Sequence, residues 1–238
     1  MRLKAMETAM SVQQARARAI EAVLFDIDGT LVDSNDYHVL AWRHVFAGEG
    51  VDFDEATIHQ QIGKGTDMLV PALLPEADEE TVKRLGKAHG ELFKSRYLPE
   101  IAPFPGAREL LARVHASGRR VVLATSASKP ELEHHLELLE AQDLVFAATS
   151  ADDVEHTKPA PDVFAAALEK LAPLTAAQAV VVGDTPYDVL AAGKCGIAAV
   201  GLRLGGFSDV VLVEAGAVAV YDDVAELLAE FDESPLGR

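Results

Sequence analysis

Short runs of consecutive apolar residues recur along the chain, separated by longer segments in which apolar and polar residues mix. Each run has the length of a buried strand, and a strand of a parallel sheet is covered on both faces. The predicted strands are residues 23–25, 121–124, 144–148, 179–182, 197–200 and 217–220. From residue 100 onward these runs alternate with segments of helical periodicity. That alternation predicts an α/β fold built on a doubly wound parallel sheet.

A block of purely helical patterns separates the first predicted strand from the second. It contains no strand pattern and is broken at Gly63-Lys64-Gly65, at Pro71 and at Pro75. Helices inserted between two strands of one sheet predict a separate lid over that sheet. The predicted division is an N-terminal extension (1–20), an α/β core (21–35 and 100–238) and an inserted α-helical cap (36–99). The predicted helices are residues 36–48, 107–117, 131–139, 162–171, 189–195 and 224–231, with a long amphipathic stretch over 76–96.

The first predicted strand ends in two carboxylates. Asp26 and Asp28 follow the apolar run directly, and the turn residues Gly29 and Thr30 come next. Open α/β sheets bind ligands at the carboxyl ends of their strands. Two carboxylates at one site repel each other unless a cation or a shared proton lies between them, and Mg²⁺ prefers oxygen ligands. The pattern therefore predicts a magnesium site, with a plain acidic turn as the alternative.

Three later segments carry polar groups at corresponding places. Thr125 and Ser126 follow the second strand and precede a helix, where hydroxyls and helix-start amides suit an anion. Lys158 is followed by two nearby prolines, and a stiff loop gives an ammonium the fixed position that electrostatic stabilisation requires. Asp184 and Asp188 follow the strand at 179–182. Since parallel strands end at the same edge of a sheet, all of these side chains are expected to converge.

Two cap residues are candidates for facing the same edge. His38 lies in the first turn of the helix that follows the two aspartates. Lys64 lies between two glycines, in a flexible loop that can present an ammonium to a phosphate or carboxylate. A surface histidine and an ordinary loop are the alternatives.

The charge balance excludes several classes of partner. Asp and Glu number 38 against 21 Lys and Arg, a formal net charge of -17, which opposes binding to nucleic acid or to an anionic membrane. No uninterrupted apolar stretch approaches the ~18 residues of a membrane span, and residues 1–20 hold no apolar block of signal-peptide length. The single cysteine, Cys195, excludes an internal disulfide and fits a reducing compartment. A cytoplasmic monomer or weak homodimer is expected.

The stretch Asp26-Ile27-Asp28-Gly29-Thr30-Leu31-Val32-Asp33-Ser34 resembles the first motif of the haloacid dehalogenase-like superfamily of aspartate-nucleophile phosphotransferases. Thr125, Lys158 and the segment Gly183-Asp184 through Asp188 are similar to the other three motifs, in the same order. The resemblance extends over residues 22 to 231. It implies a Rossmann-like core with an α-helical cap of the subclass I arrangement.

The resemblance also implies a reaction, the hydrolysis of a small metabolite phosphate with one Mg²⁺ per active site. Asp26 would attack phosphorus and form an aspartyl-phosphate. Asp28 would protonate the leaving alkoxide and then activate water, which requires its carboxyl to be protonated at first.

Other residues receive supporting roles from the same resemblance. Asp26, Asp184 and the main-chain carbonyl of Asp28 would bind the metal, and Asp188 would orient waters or Lys158. The groups expected to contact the phosphate or the rest of the substrate are Thr125, Lys158, Gly29, Ser126, His38 and Lys64.

Three other functions remain to be weighed. Tyr37-His38 and Ala41-Trp42 resemble β-phosphoglucomutase, so a phosphomutase is the main alternative. Such a mutase carries a cap-loop arginine where this chain has Thr66, and Glu-Asp where it has Gly183-Asp184, which favours a hydrolase. Dehalogenases of the superfamily lack the second acid, so Asp28 argues against dehalogenation. A non-catalytic phosphate-binding protein is less favoured, because no catalytic group is missing.

Overall fold

A computed structural model describes residues 19–238, so the predicted N-terminal extension lies almost wholly outside the described residues. The sheet of the described chain has six parallel strands in the order β3-β2-β1-β4-β5-β6. Its strands are β1 (Ala22–Phe25), β2 (Arg120–Ala124), β3 (Val145–Thr149), β4 (Ala179–Gly183), β5 (Ala198–Leu202) and β6 (Ala219–Tyr221). The predicted strands are confirmed, with shifts of one or two residues at their ends.

Strand β1 lies inside the sheet and fixes where a ligand can bind. It pairs with β2 on one side and with β4 on the other. Its alternate residues join two different hydrophobic clusters, Val23 and Phe25 on one face and Ala22 and Leu24 on the other. The chain runs from β1 outward to β2 and β3, then returns to β4 beside β1. This reversal is a topological switch point, where a crevice forms at the carboxyl ends of the strands.

Helices cover both faces of the sheet, which confirms the doubly wound α/β fold. The helices of residues 19–238 are α1 (Asn35–Gly48), α2 (Glu55–His59), α3 (Thr66–Leu73), α4 (Glu79–Leu92), α5 (Ala107–Ala116), α6 (Lys129–Leu138), α7 (Asp162–Lys170), α8 (Pro186–Lys194), α9 (Asp209–Ala215) and α10 (Val224–Ala229). Helices α5, α6 and α10 pack on one face, and α7, α8 and α9 pack on the other.

One helix was missed by the sequence analysis, and one local prediction was wrong. Helix α9 was not predicted, because Val210 and Val213 are 64% and 56% exposed and hide its amphipathic pattern. Pro71 was expected to break the cap helices but lies inside α3. Leu69 and Val70 are fully buried there, and their packing outweighs the hydrogen bond that proline cannot donate.

Helices α1 to α4 share a hydrophobic cluster of their own. Its largest members include Trp42 and Phe46 of α1 and Leu85 of α4. Helix α4 continues into a π-helical turn at Phe93–Tyr97, and the chain then returns to the core. The boundary of the cap at 36–99 stays a prediction. No helix within residues 19–238 combines the length and apolarity needed to cross a bilayer.

Candidate active site

A buried ion pair lies at the carboxyl end of β1. Asp26 donates its main-chain N–H to the carbonyl of Val182 at 2.9 Å, which fixes it beside β4. The Nζ atom of Lys158 lies 2.6 Å from Asp26 Oδ1 and 2.7 Å from Asp188 Oδ1. All three side chains are almost completely buried. The expected convergence of these strand-end residues is therefore present in the fold.

Asp184 completes a group of three carboxylates. Its Oδ1 accepts a hydrogen bond from Thr30 Oγ1 at 2.9 Å, and its Oδ2 accepts one from Asn35 Nδ2 at 2.8 Å. One carboxylate oxygen from each of Asp26, Asp184 and Asp188 lies within 4.8 Å of the others. Such a set of oxygen donors is what a hard divalent cation binds. Asp188 lies in this group as well as against Lys158, the contact expected of it.

Gly29 makes the close packing below Asp184 possible. Its φ is 73°, and a Cβ atom there would overlap Asn35 Nδ2 and Asp184 Oδ2. Its main-chain N–H donates to the carbonyl of Val32 at 2.9 Å. Because that N–H already has a partner, the predicted phosphate contact of Gly29 finds no support in its geometry.

Replacing Gly29 with alanine is expected to destabilise the protein and to displace the Asp184 carboxylate, so that the three acids bind an added divalent cation less well. Left-handed backbone costs alanine about 1–2 kcal/mol, and the displaced Asp184 adds to that loss. Gly50→Ala is the matched control, since Gly50 also has a positive φ (78°) but open space around its Cβ position. Denaturant unfolding and Mg²⁺ titration of both variants separate backbone strain from the collision. Equal losses in the two variants would contradict the role given to Gly29.

The group formed by the three carboxylates of Asp26, Asp184 and Asp188 is electrostatically unbalanced, because these buried acids face the single ammonium of Lys158. Burial raises the pKa of Asp26 to about 7, although Lys158 opposes the rise. Burial and the neighbouring acids Asp188 and Asp26 raise the pKa of Asp184 well above its usual range. Burial disfavours the Lys158 ammonium, but Asp188 and Asp26 outweigh it and raise its pKa. Without a second cation, these three carboxylates therefore retain a proton among them near neutral pH.

Asp28 differs from the expectation of a protonated carboxyl. Burial would raise its pKa, but His135 and His38 hold the pKa well below its usual range. The Nε2 atoms of His38 and His135 lie 3.3 and 3.5 Å from Asp28 Oδ1. Ser34 Oγ donates to the same oxygen at 2.7 Å. The raised pKa values belong to Asp26 and Asp184, and Asp28 is ionised in the resting site.

The hydroxyl groups after β2 lie beside the acids. Thr125 is 1% exposed, and its Oγ1 accepts the main-chain N–H of Ala127 at 2.9 Å, which leaves its O–H to donate elsewhere. Ser126 Oγ is buried without a hydrogen-bond partner in the described chain. The main-chain amides at the start of α6 already have partners. Ser128 donates its N–H to Glu131 Oε2 at 2.8 Å, and Lys129 donates its N–H to Asp152. An anion bound here would therefore contact the hydroxyls of Thr125 and Ser126, because the amides that were expected to bind it already donate to carboxylates.

A cavity of about 610 Å³ opens between the cap and these strand ends. Asp26, Asp28, Thr125 and Ser126 line its core side, and His38 and Lys64 line its cap side with Trp42, His89 and Lys94. Both predicted cap residues therefore face the site. Lys64 Nζ donates to Gln61 Oε1 at 2.5 Å and lies 4.6 Å above the ring of Tyr187 in α8, so its ammonium is held between a cap residue and a core residue.

Several residues of the site were not predicted from the sequence. His135 is completely buried beside Asp28, and a signal for it existed, since Leu132, His135 and Leu139 share a helical face. Asn35, which donates to Asp184, was not predicted as a site residue. His89 stacks on Trp42 with ring centroids 4.2 Å apart, and its distance from the motifs along the chain left no local signal.

Known proteins share this architecture. The family model of haloacid dehalogenase-like hydrolases matches residues 23–202. A phosphoglycolate phosphatase from Rhodospirillum rubrum is 32% identical over 221 residues, which cover 87% of this chain and 89% of that protein. The phosphorylated carbohydrates phosphatase of Thermotoga maritima is 30% identical, with 89% of this chain and 99% of that protein covered.

A solved structure agrees with these sequence relatives. The crystal structure of a hydrolase from Pseudomonas syringae superposes with a TM-score of 0.84 and 32% identity, covering 90% of this chain and 98% of that one. The family model spans all four motif segments that converge in the fold, from Asp26 to Asp188. The chain belongs to the haloacid dehalogenase-like hydrolases.

Proposed function

We propose that the protein is a Mg²⁺-dependent phosphomonoesterase that hydrolyses a small metabolite phosphate through an aspartyl-phosphate on Asp26. The observation that carries the proposal is the position of the Asp26 carboxylate, buried at the cavity floor and 2.6 Å from the Lys158 ammonium. The relatives named above are phosphatases of phosphoglycolate and of phosphorylated carbohydrates. Their shared chemistry, removal of phosphate from a small metabolite, supports the same reaction class here.

Asp26 is the carboxylate suited to attack phosphorus. Its oxygen forms the new bond to phosphorus while the bond to the substrate's alcohol oxygen breaks, and water later hydrolyses the acyl phosphate. Thr125 and Ser126 line the cavity beside Asp26, and the fully buried Lys158 lies 2.6 Å from the Asp26 carboxylate, so these three residues are the donors proposed for the phosphoryl oxygens. Their donors stabilise charge on those oxygens as it develops, in a site largely shielded from water.

The donor set fits Mg²⁺. Asp26, Asp184 and Asp188 offer carboxylate oxygens, and their excess negative charge is relieved by a divalent cation. When bound, the ion screens the phosphate dianion from the attacking carboxylate and polarises the phosphoryl group. The predicted contact through the main-chain carbonyl of Asp28 stays part of the proposal.

Asp28 would transfer the proton that the leaving alkoxide needs. Since its carboxyl is ionised at rest, the proton must first reach it from a neighbour. His38 and His135 both face its Oδ1, and although burial lowers the pKa of His135, the Asp28 carboxylate 3.5 Å away outweighs it and raises that pKa. The proton would pass from imidazolium to Asp28 and then to the alcohol oxygen, after which ionised Asp28 activates water.

Removing divalent ions is expected to lower the rate of p-nitrophenyl phosphate hydrolysis by about 100-fold or more, and added Mg²⁺ is expected to restore that rate. Mg²⁺ should also raise the melting temperature, because it relieves repulsion among the three carboxylates. Since a proton on Asp26 competes with the metal and its pKa is raised to about 7, Mg²⁺ affinity should be weaker at about pH 6 than at about pH 8.

Chelation, calorimetric titration and a Mg²⁺ add-back test these expectations together. Ca²⁺ at the same concentration controls for general salt effects, because its larger size and looser coordination suit the site less well. Turnover that persists unchanged in excess chelator would contradict the proposal.

The phosphomutase alternative is less well supported. Lys64 is held by Gln61 and Tyr187, and lysine lacks the planar fork with which arginine binds a second phosphate. Isomerisation of β-glucose 1-phosphate with a bisphosphate primer would favour the mutase, and release of inorganic phosphate would favour the phosphatase. A cytoplasmic location and a monomeric or weakly dimeric state stay predictions.

A further inference from the structure

The loop that was expected to present Lys64 also makes contacts with the core. We refer to residues 63–67 as the cap loop, to residues 156–162 as the Lys158 loop and to residues 184–188 as the Asp184 loop. The cap loop lies against both of the other two. Its contacts involve residues that are direct neighbours of Lys158 and Asp184 in the sequence.

Thr157, the residue before Lys158, is joined to the cap loop by three hydrogen bonds. Its main-chain N–H donates to Asp67 Oδ2 at 3.0 Å, and its Oγ1 donates to Asp67 Oδ1. Its Oγ1 in turn accepts the main-chain N–H of Gly65 at 2.9 Å. Thr157 is only 7% exposed, so these bonds are shielded from water. Hydrogen bonds to a charged acceptor are the stronger kind.

The two glycines of the cap loop allow this approach. A Cβ atom on Gly65 would overlap the Thr157 side chain, and one on Gly63 would lie 2.7 Å from Thr185 Oγ1. Thr185 Oγ1 also donates to Asp188 Oδ2 at 2.6 Å, and Asp188 contacts Lys158. The cap loop thus contacts both core loops at positions next to the site.

We propose that Asp67 is a positioning residue that holds Thr157, and through it Lys158, when the cap loop lies on the core. Asp67 lines the cavity, but both of its carboxylate oxygens accept hydrogen bonds from Thr157. It therefore acts through the Lys158 loop. Departure of the cap would take away the carboxylate that holds Thr157, and the loop carrying Lys158 would lose its restraint. The proposal rests on the proposed function in one respect, the contact of Lys158 with phosphoryl oxygens.

Binding of inorganic phosphate in the presence of Mg²⁺, measured by calorimetry, tests the proposal without turnover. Asp67→Ala and Thr157→Val are each expected to weaken phosphate binding about 10-fold, because both break the same bridge. The double variant is expected to lose about 10-fold as well, where independent contributions would multiply to about 100-fold. Thr157→Ser keeps the hydroxyl and should bind phosphate like the wild type.

Two controls isolate the bridge from general damage to the cap. Asp52→Ala removes an exposed acid of the cap and should leave phosphate binding unchanged. Gly65→Ala should weaken binding through its collision with Thr157, whereas Gly48→Ala, which meets open space, should not. Melting temperatures identify any variant that fails to fold, and Gly65→Ala then serves as the independent test.

The outcomes separate this proposal from the proposed function. If the wild type hydrolyses phosphate esters and folded Asp67→Ala binds phosphate equally well, the bridge has no positioning role. Multiplicative losses in the double variant would overturn it too. If the wild type shows no turnover but the variants lose phosphate affinity together, the positioning role stands and the proposed reaction fails. A wild type that binds no phosphate would overturn both.

Discussion

Asp26→Asn is expected to lower kcat by about 10⁴-fold or more, on every phosphate ester that the wild type hydrolyses. An amide keeps the shape of the side chain but is a very weak nucleophile, and it cannot form the aspartyl-phosphate. It also removes the negative charge that Lys158 neutralises at 2.6 Å. Single-turnover kinetics with p-nitrophenyl phosphate measure the loss, and intact-protein mass spectrometry of quenched reactions tests for the phosphoryl adduct.

Asp36→Asn is the matched control, since it makes the same chemical change at an exposed position only a short distance along the same segment. It should retain wild-type turnover and the phosphoryl adduct. Substantial turnover by folded Asp26→Asn would show that the attacking group lies elsewhere. An adduct mapped to Asp28 or Asp184 would do the same.

Asp28→Asn is expected to have the second largest effect, and the size of that effect should depend on the leaving group. Positioned proton transfer contributes about 10²–10⁴-fold. An alkyl phosphate releases a basic alkoxide and should lose about 10³-fold in kcat, whereas p-nitrophenolate leaves without a proton. A plot of log kcat against leaving-group pKa should therefore become steeper in the variant.

The second half of the reaction offers a separate readout of the same variant. Since ionised Asp28 would activate the water, Asp28→Asn should slow hydrolysis of the aspartyl-phosphate. The intermediate should then accumulate and give a burst of p-nitrophenolate. Asp33→Asn, an exposed change in the same segment, controls for the loss of one charge. Equal losses on alkyl and aryl esters would show that Asp28 does not protonate the leaving group.

The strand-end residues could be predicted because sheet geometry alone brings them together. Asp26, Thr125 and Asp184 follow apolar runs, Lys158 lies in the proline-containing loop after β3, and every parallel strand ends at the same edge. Local patterns of apolar run, turn and helix start are sufficient for that inference. The fold class and most element bounds follow from the same patterns.

The surroundings of Asp28 could not be predicted, because they depend on packing between distant segments. Its pKa is lowered by His135 of α6 and His38 of α1. His38 was expected near this edge and periodicity indicates that His135 is buried, but neither pattern shows that both rings reach the same Asp28 oxygen. The bridge between Asp67 and Thr157 joins residues 90 positions apart along the chain. The direction of a pKa shift likewise depends on which donors reach the carboxylate, a property of the folded cavity and not of the motif.

The position of β1 also constrains how the protein can be synthesised and folded. β1 pairs with β4, so its second neighbour emerges long after β1 itself has been made, Ala22 lying opposite Ala179. Contacts of such long sequence separation carry a large loop-closure entropy and slow the folding of parallel sheets. A nascent chain still attached to the ribosome therefore carries the Asp26 segment long before Asp184 and Asp188 emerge, so the group of three carboxylates cannot assemble until β4 and the residues after it have been made.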